Sequence, residues 1–252
     1  TLNVAMLAML LAKQCGKNEE EIKLLGMAAI FHDIGKLKIP SQILRKTEPL
    51  TKPEENLYKM HPRYSLALLD LAQDFPSAAK GIILKHHERN DGSGYPDGLK
   101  GSQIDDLTQL MAVIDEYDSL CHPQLGGKPS ATPHTVLSFM FKHRPQQLNK
   151  DYIGLLIKHL GIYPPGSVVE LSNGQVGLVM SVNAQRLLYP SVLVYDPAVP
   201  RNEGAVIDLE HMNLSIKRVL LPSRLPQEIF DYLSPRTRIS YFFDSSNGAN
   251  GS

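Results

Sequence analysis

The hydrophobic period of this 252-residue chain changes at Tyr163-Pro164-Pro165-Gly166. Before this segment, apolar residues recur at helical intervals, as at Val4, Leu7 and Leu11. After it, between residues 168 and 195, apolar and polar residues follow a two-residue period that is typical of strands. The sequence therefore predicts a mainly α fold, a helical bundle followed by a small antiparallel β-rich extension.

This change of period defines the predicted domain organisation. Residues 1–160 form the helical catalytic domain, and residues 161–244 form the β-rich extension, with a short helix near 226–233. Residues 245–252 are of low complexity, and we expect a disordered tail. Because Thr1 is not a Met and already lies in an apolar periodic segment, we expect the chain to be a fragment whose helical domain is truncated at its N-terminal edge.

Helix starts are marked by capping residues. Asn18 is followed three positions later by Glu21, and Thr51 is followed in the same way by Glu54, which is the spacing of a capping box. The second signal predicts a helix that continues through His61, so that this histidine lies in mid-helix.

Charge and composition exclude several classes of protein. Lysine and arginine number 26 and aspartate and glutamate also number 26, so no net field attracts nucleic acid. The apolar run 4–12 is too short to span a bilayer and lacks the basic leader of a signal peptide. Two cysteines do not make a disulfide scaffold. We expect a cytoplasmic protein with no membrane segment and no nucleic-acid partner.

The His32-Asp33 pair follows the apolar segment 28–31, at the predicted end of a buried helix. A buried carboxylate requires a partner, because an unpaired buried charge is very costly. A divalent cation is one such partner. The alternative is a hydrogen bond between the two side chains within the core.

Three further positions carry the same kind of side chain. His86 and His87 follow an apolar segment, and Asp115 follows the apolar residues 111–114. Adjacent helical side chains point about 100° apart, so the two histidines suit two neighbouring ions, or one ion and one substrate contact. The alternative for the pair is a solvated helix end, and a lone histidine such as His61 is usually structural.

Taken together, the imidazoles and carboxylates predict a metal centre. The predicted ligands are His32, Asp33, His61, His86, His87 and Asp115. A set without cysteine suits Fe, Mn, Zn or Ni. Asp33 is the predicted bridge between two ions, which lie ~3.5–4 Å apart in two-metal phosphoryl-transfer sites. Lys36, one turn later, offers positive charge to a phosphate oxygen, or otherwise to a helix C-terminus.

These motifs, in their order and spacing, resemble the HD-GYP domain, a branch of the HD phosphohydrolases. The resemblance covers roughly residues 1–160. It is carried by His32-Asp33-Ile34-Gly35-Lys36, His61-Pro62, His86-His87-Glu88 and Asp91-Gly92-Ser93-Gly94-Tyr95-Pro96. The long glycine-containing loop is far more specific than the His-Asp pair.

The resemblance implies a bacterial cytoplasmic phosphodiesterase that hydrolyses cyclic di-GMP to pGpG, to GMP or to both, through a hydroxide that bridges the metals. It implies two or three divalent ions, commonly Fe or Mn, on the six ligands above. It makes Asp33 and Lys36 catalytic and lets Lys36 contact the phosphate. Gly94, Tyr95 and Pro96 line the substrate pocket, with Tyr95 nearest the ligand.

This sequence departs from the family pattern at two places. The family pattern places a ligand histidine just before Thr1; either the sequence is cut there or this protein lacks the ligand. After Asp118 the family usually carries an arginine that binds the second nucleotide, whereas segment 119–129 contains no arginine. Lys128 or His122 can substitute there, and weak affinity, altered nucleotide preference and lost activity all stay open.

Three functional hypotheses follow. The first is a metal-dependent cyclic di-GMP phosphodiesterase. The second is a catalytically weak or degenerate HD-GYP module that binds metal or nucleotide and signals through partners such as diguanylate-cyclase (GGDEF) domains, with a regulatory domain upstream. The third is a mononuclear nucleotidohydrolase, which the His86-His87 pair argues against.

Overall fold

A computed structural model describes residues 2–72, 74–122, 131–183 and 185–235. The described residues up to 160 contain nine α-helices and no strand of the sheet. They are α1 (Leu2–Gln14), α2 (Glu19–Phe31), α3 (Ser41–Leu44), α4 (Lys52–Tyr58), α5 (His61–Leu69), α6 (Ser77–Lys85), α7 (Asp106–Cys121), α8 (Pro133–His143) and α9 (Lys150–Leu160). A 3₁₀ helix, Ile34–Lys38, follows α2 and a second, Gly101–Gln103, precedes α7.

The predicted helix starts are confirmed. Asn18 accepts from the amide of Glu21 at 2.9 Å, and the Glu21 carboxylate accepts from the amide of Asn18 at 2.9 Å. Thr51 and Glu54 form the same reciprocal box at the start of α4. Because these bonds satisfy amides that have no intrahelical partner, local sequence is enough to place both helix ends.

One helix prediction is wrong. The structure divides the expected helix into α4 and α5, so His61 is the first residue of α5 and does not lie in mid-helix. The physical reason is Pro62, which has no amide hydrogen to donate to the carbonyl of Tyr58 and whose ring would crowd that carbonyl in a continuous helix. The Tyr58 carbonyl instead accepts from His61 Nδ1 at 2.9 Å.

The helical core lies between α1, α2, α6 and α7, with α8 and α9 packed on the far side of α7. The central helix is α7, which buries residues on all sides, Leu110, Ile114 and Tyr117 among them. A helix that is apolar on every face belongs inside the bundle. This burial carries Asp115, only 4% exposed, into the interior.

After α9 the chain forms a five-stranded antiparallel sheet of order β4-β3-β2-β1-β5. Its strands are β1 (Val168–Leu171), β2 (Val176–Ser181), β3 (Ser191–Val194), β4 (Val206–Asp208) and β5 (Ile216–Leu220). The β1–β2 hairpin turns at Asn173-Gly174, where Gly174 has φ +86°. The short helix expected near 226–233 is α10 (Gln227–Leu233), which packs on one face of the sheet.

The fold class predicted from the sequence is confirmed: the chain is mainly helical and carries a small antiparallel sheet at its C-terminal end. The boundary expected near residue 160 falls between α9 and β1. Within the described residues, no helix combines the length and hydropathy needed to cross a membrane. The predicted tail 245–252 lies outside the described residues.

Candidate metal centre

Helix ends and one helix interior bring the predicted ligands together. His32 and Asp33 follow α2, His61 begins α5, and His86 and His87 follow α6. Asp115 faces them from the middle of α7. All six lie within one cluster, so the structure brings together every ligand that the sequence analysis names.

Three of the histidines are oriented by the same local bond. The Nδ1 atoms donate to the carbonyl three residues earlier: His32 to Ala29 at 2.8 Å, His61 to Tyr58 at 2.9 Å and His86 to Ile83 at 2.6 Å. A carbonyl only accepts, so each Nδ1 carries the proton. Each ring therefore turns its Nε2 toward the cluster, where it is a lone-pair donor whenever the ring is neutral, and this is the usual way in which a histidine ligand is oriented.

The Nε2 atoms face acceptors. His32 Nε2 lies 3.3 Å from Asp33 Oδ2 and 3.4 Å from Asp115 Oδ1, and His61 Nε2 lies 3.3 Å from Asp33 Oδ1. Burial lowers the pKa of His32, but the two carboxylates outweigh burial and raise this pKa to about 10. The two carboxylates thus require a positive charge at this position, and a proton or a metal ion can supply it.

His87 has one proton for two acceptors. Burial and the neighbouring His86 hold the pKa of His87 well below its ordinary value, so the ring is neutral. Its Nε2 lies 3.2 Å from His61 Nε2 and its Nδ1 lies 3.5 Å from Asp115 Oδ2. If the hydrogen is on Nδ1, the lone pairs of the two Nε2 atoms face each other. If it is on Nε2, the Nδ1 lone pair faces the Asp115 carboxylate.

These side chains fit divalent metal ions. Asp33, His61, His86 and His87 offer ligand atoms that all lie within 4.8 Å of one another. Among the described residues, Asp33 Oδ1 and His86 Nε2 are buried with no hydrogen-bond partner. A cation bound by all four would satisfy these atoms together. His32 and Asp115 adjoin this group: His32 faces both Asp33 and Asp115, and Asp115 also faces His87.

Lys36 lies at the edge of this cluster. Its Nζ is 2.6 Å from Asp33 Oδ2 and 5.4 Å from the centre of the Tyr58 ring. Burial lowers the pKa of Lys36, but Asp33 outweighs burial and raises it above its ordinary value, so the ammonium stays charged. Its position fits the predicted role as the positive group that meets a phosphate oxygen.

The glycine-containing loop folds back onto the turn that carries His87. The Tyr95 ring stacks on the His87 ring with centroids 4.6 Å apart, and the Tyr95 amide donates to the His87 carbonyl at 3.2 Å. A Cβ at Gly94 would lie 2.4 Å from the Arg89 nitrogen and 2.5 Å from Glu88 Cα. Glycine at this position therefore permits close backbone contact, and the side chain that reaches the cluster is that of Tyr95.

Glu88 holds the rest of this loop in place. Its side chain is 1% exposed, and its two oxygens accept from the amides of Asp97 at 2.7 Å and Leu99 at 2.9 Å. Both oxygens are therefore engaged by backbone. Glu88 belongs to the motif that the sequence analysis quotes, but its role as a loop anchor depends on long-range folding that sequence spacing does not reveal.

Tyr58 is a site residue that the sequence analysis missed. Its carbonyl orients His61, its ring centre lies 5.1 Å from that of His61, and the Lys36 ammonium lies 5.4 Å from the centre of its ring. The break between α4 and α5 brings it there, so the signal was Pro62. The neighbouring Lys59 lies 5.6 Å from the centre of the Tyr95 ring.

Of the two predicted second-nucleotide residues, His122 lies in the described part of the chain. His122 Nδ1 lies 3.4 Å from Asp118 Oδ1, one turn back on α7. Lys128 lies outside the described residues.

A cleft of about 570 Å³ opens beside Asp33 and Lys36 with mostly apolar walls, among them Phe31 and Leu37.

Comparison with known proteins assigns this chain to a family. Residues 2–150 match the model of the HD domain. The chain belongs to the HD-domain family. The HD-GYP branch predicted from the sequence is confirmed by its curated relatives together with this match.

Two curated relatives and one solved structure illustrate the relationship. Cyclic di-GMP phosphodiesterase PA4108 of Pseudomonas aeruginosa is 34% identical over 194 residues, which cover 76% of this chain and 46% of the relative. The cyclic di-GMP phosphodiesterase response regulator RpfG of Xanthomonas campestris is 38% identical over 150 residues, covering 59% and 39%. The chain thus spans less than half the length of either relative.

The solved structure is Bd1817, an HD-GYP-like protein of Bdellovibrio bacteriovorus. It aligns with a TM-score of 0.52 and 23% identity over 62% of this chain and 49% of its own. This likeness supports the fold of the helical unit.

Proposed function

We propose that this HD-GYP chain is a metal-dependent phosphodiesterase that hydrolyses cyclic di-GMP to pGpG, to GMP or to both. One observation carries the proposal: His87, part of the predicted metal centre, contacts Tyr95 of the substrate loop on one side and lies 3.5 Å from Asp115 on the other. The names of the curated relatives support the choice of substrate.

The side chains of the site have two roles, metal binding and phosphate binding. The six clustered imidazoles and carboxylates would hold two or three divalent ions, Fe or Mn. Such ions supply Lewis acidity toward a phosphoryl oxygen and lower the pKa of water to near neutrality. Lys36 provides a fixed ammonium for a phosphate oxygen, and its charge is held by Asp33 at 2.6 Å.

Tyr95 orients the substrate beside this charge. Burial raises the pKa of Tyr95 above its ordinary value, so its hydroxyl keeps the proton and acts as a hydrogen-bond donor at neutral pH. The ring itself is held between loop and turn by His87 stacking and by the Lys59 ammonium. A fixed donor and a fixed ammonium lower the entropy cost of orienting a phosphodiester.

A second candidate is a module that binds cyclic dinucleotide or metal without turnover and signals through a diguanylate-cyclase partner. The segment after Asp118 favours it, because residues 119–129 contain no arginine for a bidentate phosphate contact. Under either candidate function, we predict a cytoplasmic location and a regulatory domain upstream of this chain.

One assay separates the two. Protein purified without oxygen is loaded with Mn(II) or Fe(II), metal per chain is measured, and cyclic di-GMP and its linear products are followed by chromatography. We expect multiple turnovers that Asp33→Asn abolishes and that Asp70→Asn leaves unchanged; Asp70 forms an exposed pair with Lys80 on the surface. Tight nucleotide binding without product would favour the second candidate. Full turnover in Asp33→Asn would refute the predicted centre.

A further inference from the structure

Glu116, the residue after the predicted ligand Asp115, joins two arginines. Its Oε2 accepts from Arg89 Nη2 at 2.8 Å, and its Oε1 accepts from Arg144 Nε at 3.0 Å. The side chains of Arg89 and Glu116 are only 12% and 15% exposed. A charged group this far from solvent that takes no part in the proposed chemistry requires another explanation.

The other end of Arg89 contacts the turn that carries the two adjacent histidines. Its Nη1 donates to the Glu88 carbonyl at 3.0 Å and lies 3.5 Å from the His86 carbonyl. Arg89 therefore connects the backbone that positions His86 and His87 to the helix that positions Asp115. These ligands come from different elements, so their relative placement depends on such connections.

The turn between α8 and α9 supports the same segment. Arg144 follows α8, and three residues later the Gln147 carbonyl accepts from the Asn90 amide at 2.9 Å. The Gln147 side chain also lies 3.4 Å from Ser93 Oγ in the substrate loop. The α8–α9 turn thus contacts both Glu116 and the loop that follows Arg89.

We propose that Glu116 and Arg89 are positioning residues that hold the His86-His87 turn against α7 in the arrangement that binds metal. The proposal rests on the proposed function, since it concerns the same site. Partners beyond the ligands typically contribute 10–100-fold to metal affinity or activity. Removing the Glu116 charge leaves Arg89 without its carboxylate, and removing Arg89 leaves Glu116 bonded to Arg144 alone. In either case the His86-His87 turn loses its connection to α7.

The experiment measures Mn(II) affinity by the paramagnetic resonance signal of free Mn(II), together with kcat/KM for cyclic di-GMP. We expect Glu116→Gln and Arg89→Gln each to weaken Mn(II) binding by roughly 10–100-fold. The double variant should bind no more weakly than Glu116→Gln alone, because both changes break one connection. Arg89→Lys keeps a charge near Glu116 and should recover part of the affinity.

Lys85→Gln is the matched control, because it removes a different and more exposed ion pair, Lys85–Asp105 at 2.9 Å, which joins α6 to the start of α7. Unchanged Mn(II) affinity in Glu116→Gln and Arg89→Gln, with only a lower melting temperature, would overturn the positioning role. An equal loss of affinity in Lys85→Gln would also overturn it. A wild-type protein that binds Mn(II) but fails to hydrolyse cyclic di-GMP would refute the proposed function and still leave the affinity comparison decisive.

Discussion

The Nε2 atoms of His61 and His87 lie 3.2 Å apart, although the two residues come from different helices. His61 Nε2 has no proton to share, because burial lowers the pKa of His61 and the single proton of the neutral ring lies on Nδ1, which donates to the Tyr58 carbonyl. His87 must also face Asp115 at 3.5 Å with its other nitrogen. A bound cation removes this conflict, since both nitrogens then act as ligands.

The first prediction follows from this contact. His87→Ala should lower Mn(II) affinity and cyclic di-GMP hydrolysis by at least about 100-fold, which is the upper end of what loss of an outer partner costs. Calorimetric titration with Mn(II) measures it. His211→Ala is the control, because its side chain is 83% exposed in the C-terminal unit. An unchanged affinity in His87→Ala would remove this residue from the metal centre.

The second prediction concerns the loop anchor Glu88. Glu88→Gln places an amide group opposite the backbone amide of Asp97 or Leu99, so one hydrogen bond is lost and a buried donor is left unsatisfied. This should cost about 1–3 kcal/mol of unfolding free energy. Hydrogen exchange of these two amides should accelerate, and kcat/KM should fall as Tyr95 loses its fixed position.

Glu19→Gln serves as the control for Glu88→Gln, because the Glu19 side chain is 92% exposed on α2. Unaltered exchange at both amides in Glu88→Gln would contradict the anchoring role. An equal destabilisation by both variants would attribute the effect to the loss of charge alone.

Much of the fold was predictable because its signals are local. Capping at Asn18 and Thr51 depends on side chains three residues away, and the strands β1 to β3 have clear apolar patterns. The apolar pattern does not reveal strand β5, because its residues Lys217 and Arg218 are charged and exposed. Only the folded sheet shows that both pair with Glu170 on β1.

The site was predictable to the level of its chemistry and no further. Histidines and carboxylates that follow apolar segments indicate a bound cation, because a buried carboxylate without a positive partner is very costly. The roles of Tyr58 and Glu116 depend on which elements meet in space. The local sequence around Tyr58 and Glu116 looks like that of an ordinary surface residue. Their roles are visible only in the contacts between separate helices.

The third prediction tests Tyr58. Tyr58→Phe keeps the ring against His61 at 5.1 Å and removes the polar hydroxyl beside the Lys36 ammonium, which lies 5.4 Å from the ring centre. Loss of a polar interaction with a charged group, about 1.5 kcal/mol, corresponds to roughly a tenfold lower kcat/KM. Steady-state kinetics should show this loss while Mn(II) affinity stays unchanged. Tyr189→Phe, on a residue that is 39% exposed, is the control. A tenfold loss of Mn(II) affinity in Tyr58→Phe would assign Tyr58 to the metal centre instead.

The fourth prediction concerns pH. Asp106, at the start of α7, accepts from Tyr152 Oη at 2.6 Å and from Lys17 Nζ. Burial raises the pKa of Asp106, but these donors outweigh burial and hold the pKa below its ordinary value. Since the folded state favours the carboxylate, the contribution to stability is present above about pH 4 and is lost as the pH falls below it.

Asp106→Asn should therefore lower the melting temperature by at most about 3 °C at pH 7, because the carboxylate is largely exposed and its pairs are screened. The difference from wild type should shrink on acidification below about pH 4. Thermal unfolding followed by circular dichroism measures it, and the exposed Asp74→Asn is the control. A difference that grows toward low pH would contradict the sign of this pKa shift.

The fifth prediction compares two glycines. A Cβ at Gly35 would lie 2.0 Å from the His61 carbonyl oxygen and 2.4 Å from the Ser65 nitrogen, whereas a Cβ at Gly81 would meet nothing within 4 Å. Gly35→Ala should destabilise the fold by about 1–3 kcal/mol or more and weaken Mn(II) binding, because it separates Asp33 from His61. Gly81→Ala, in α6, should stabilise it by about 0.5–1 kcal/mol. Urea unfolding of the metal-free proteins measures both, and equal effects of the two changes would show that the contact between Gly35 and α5 does not hold the site together.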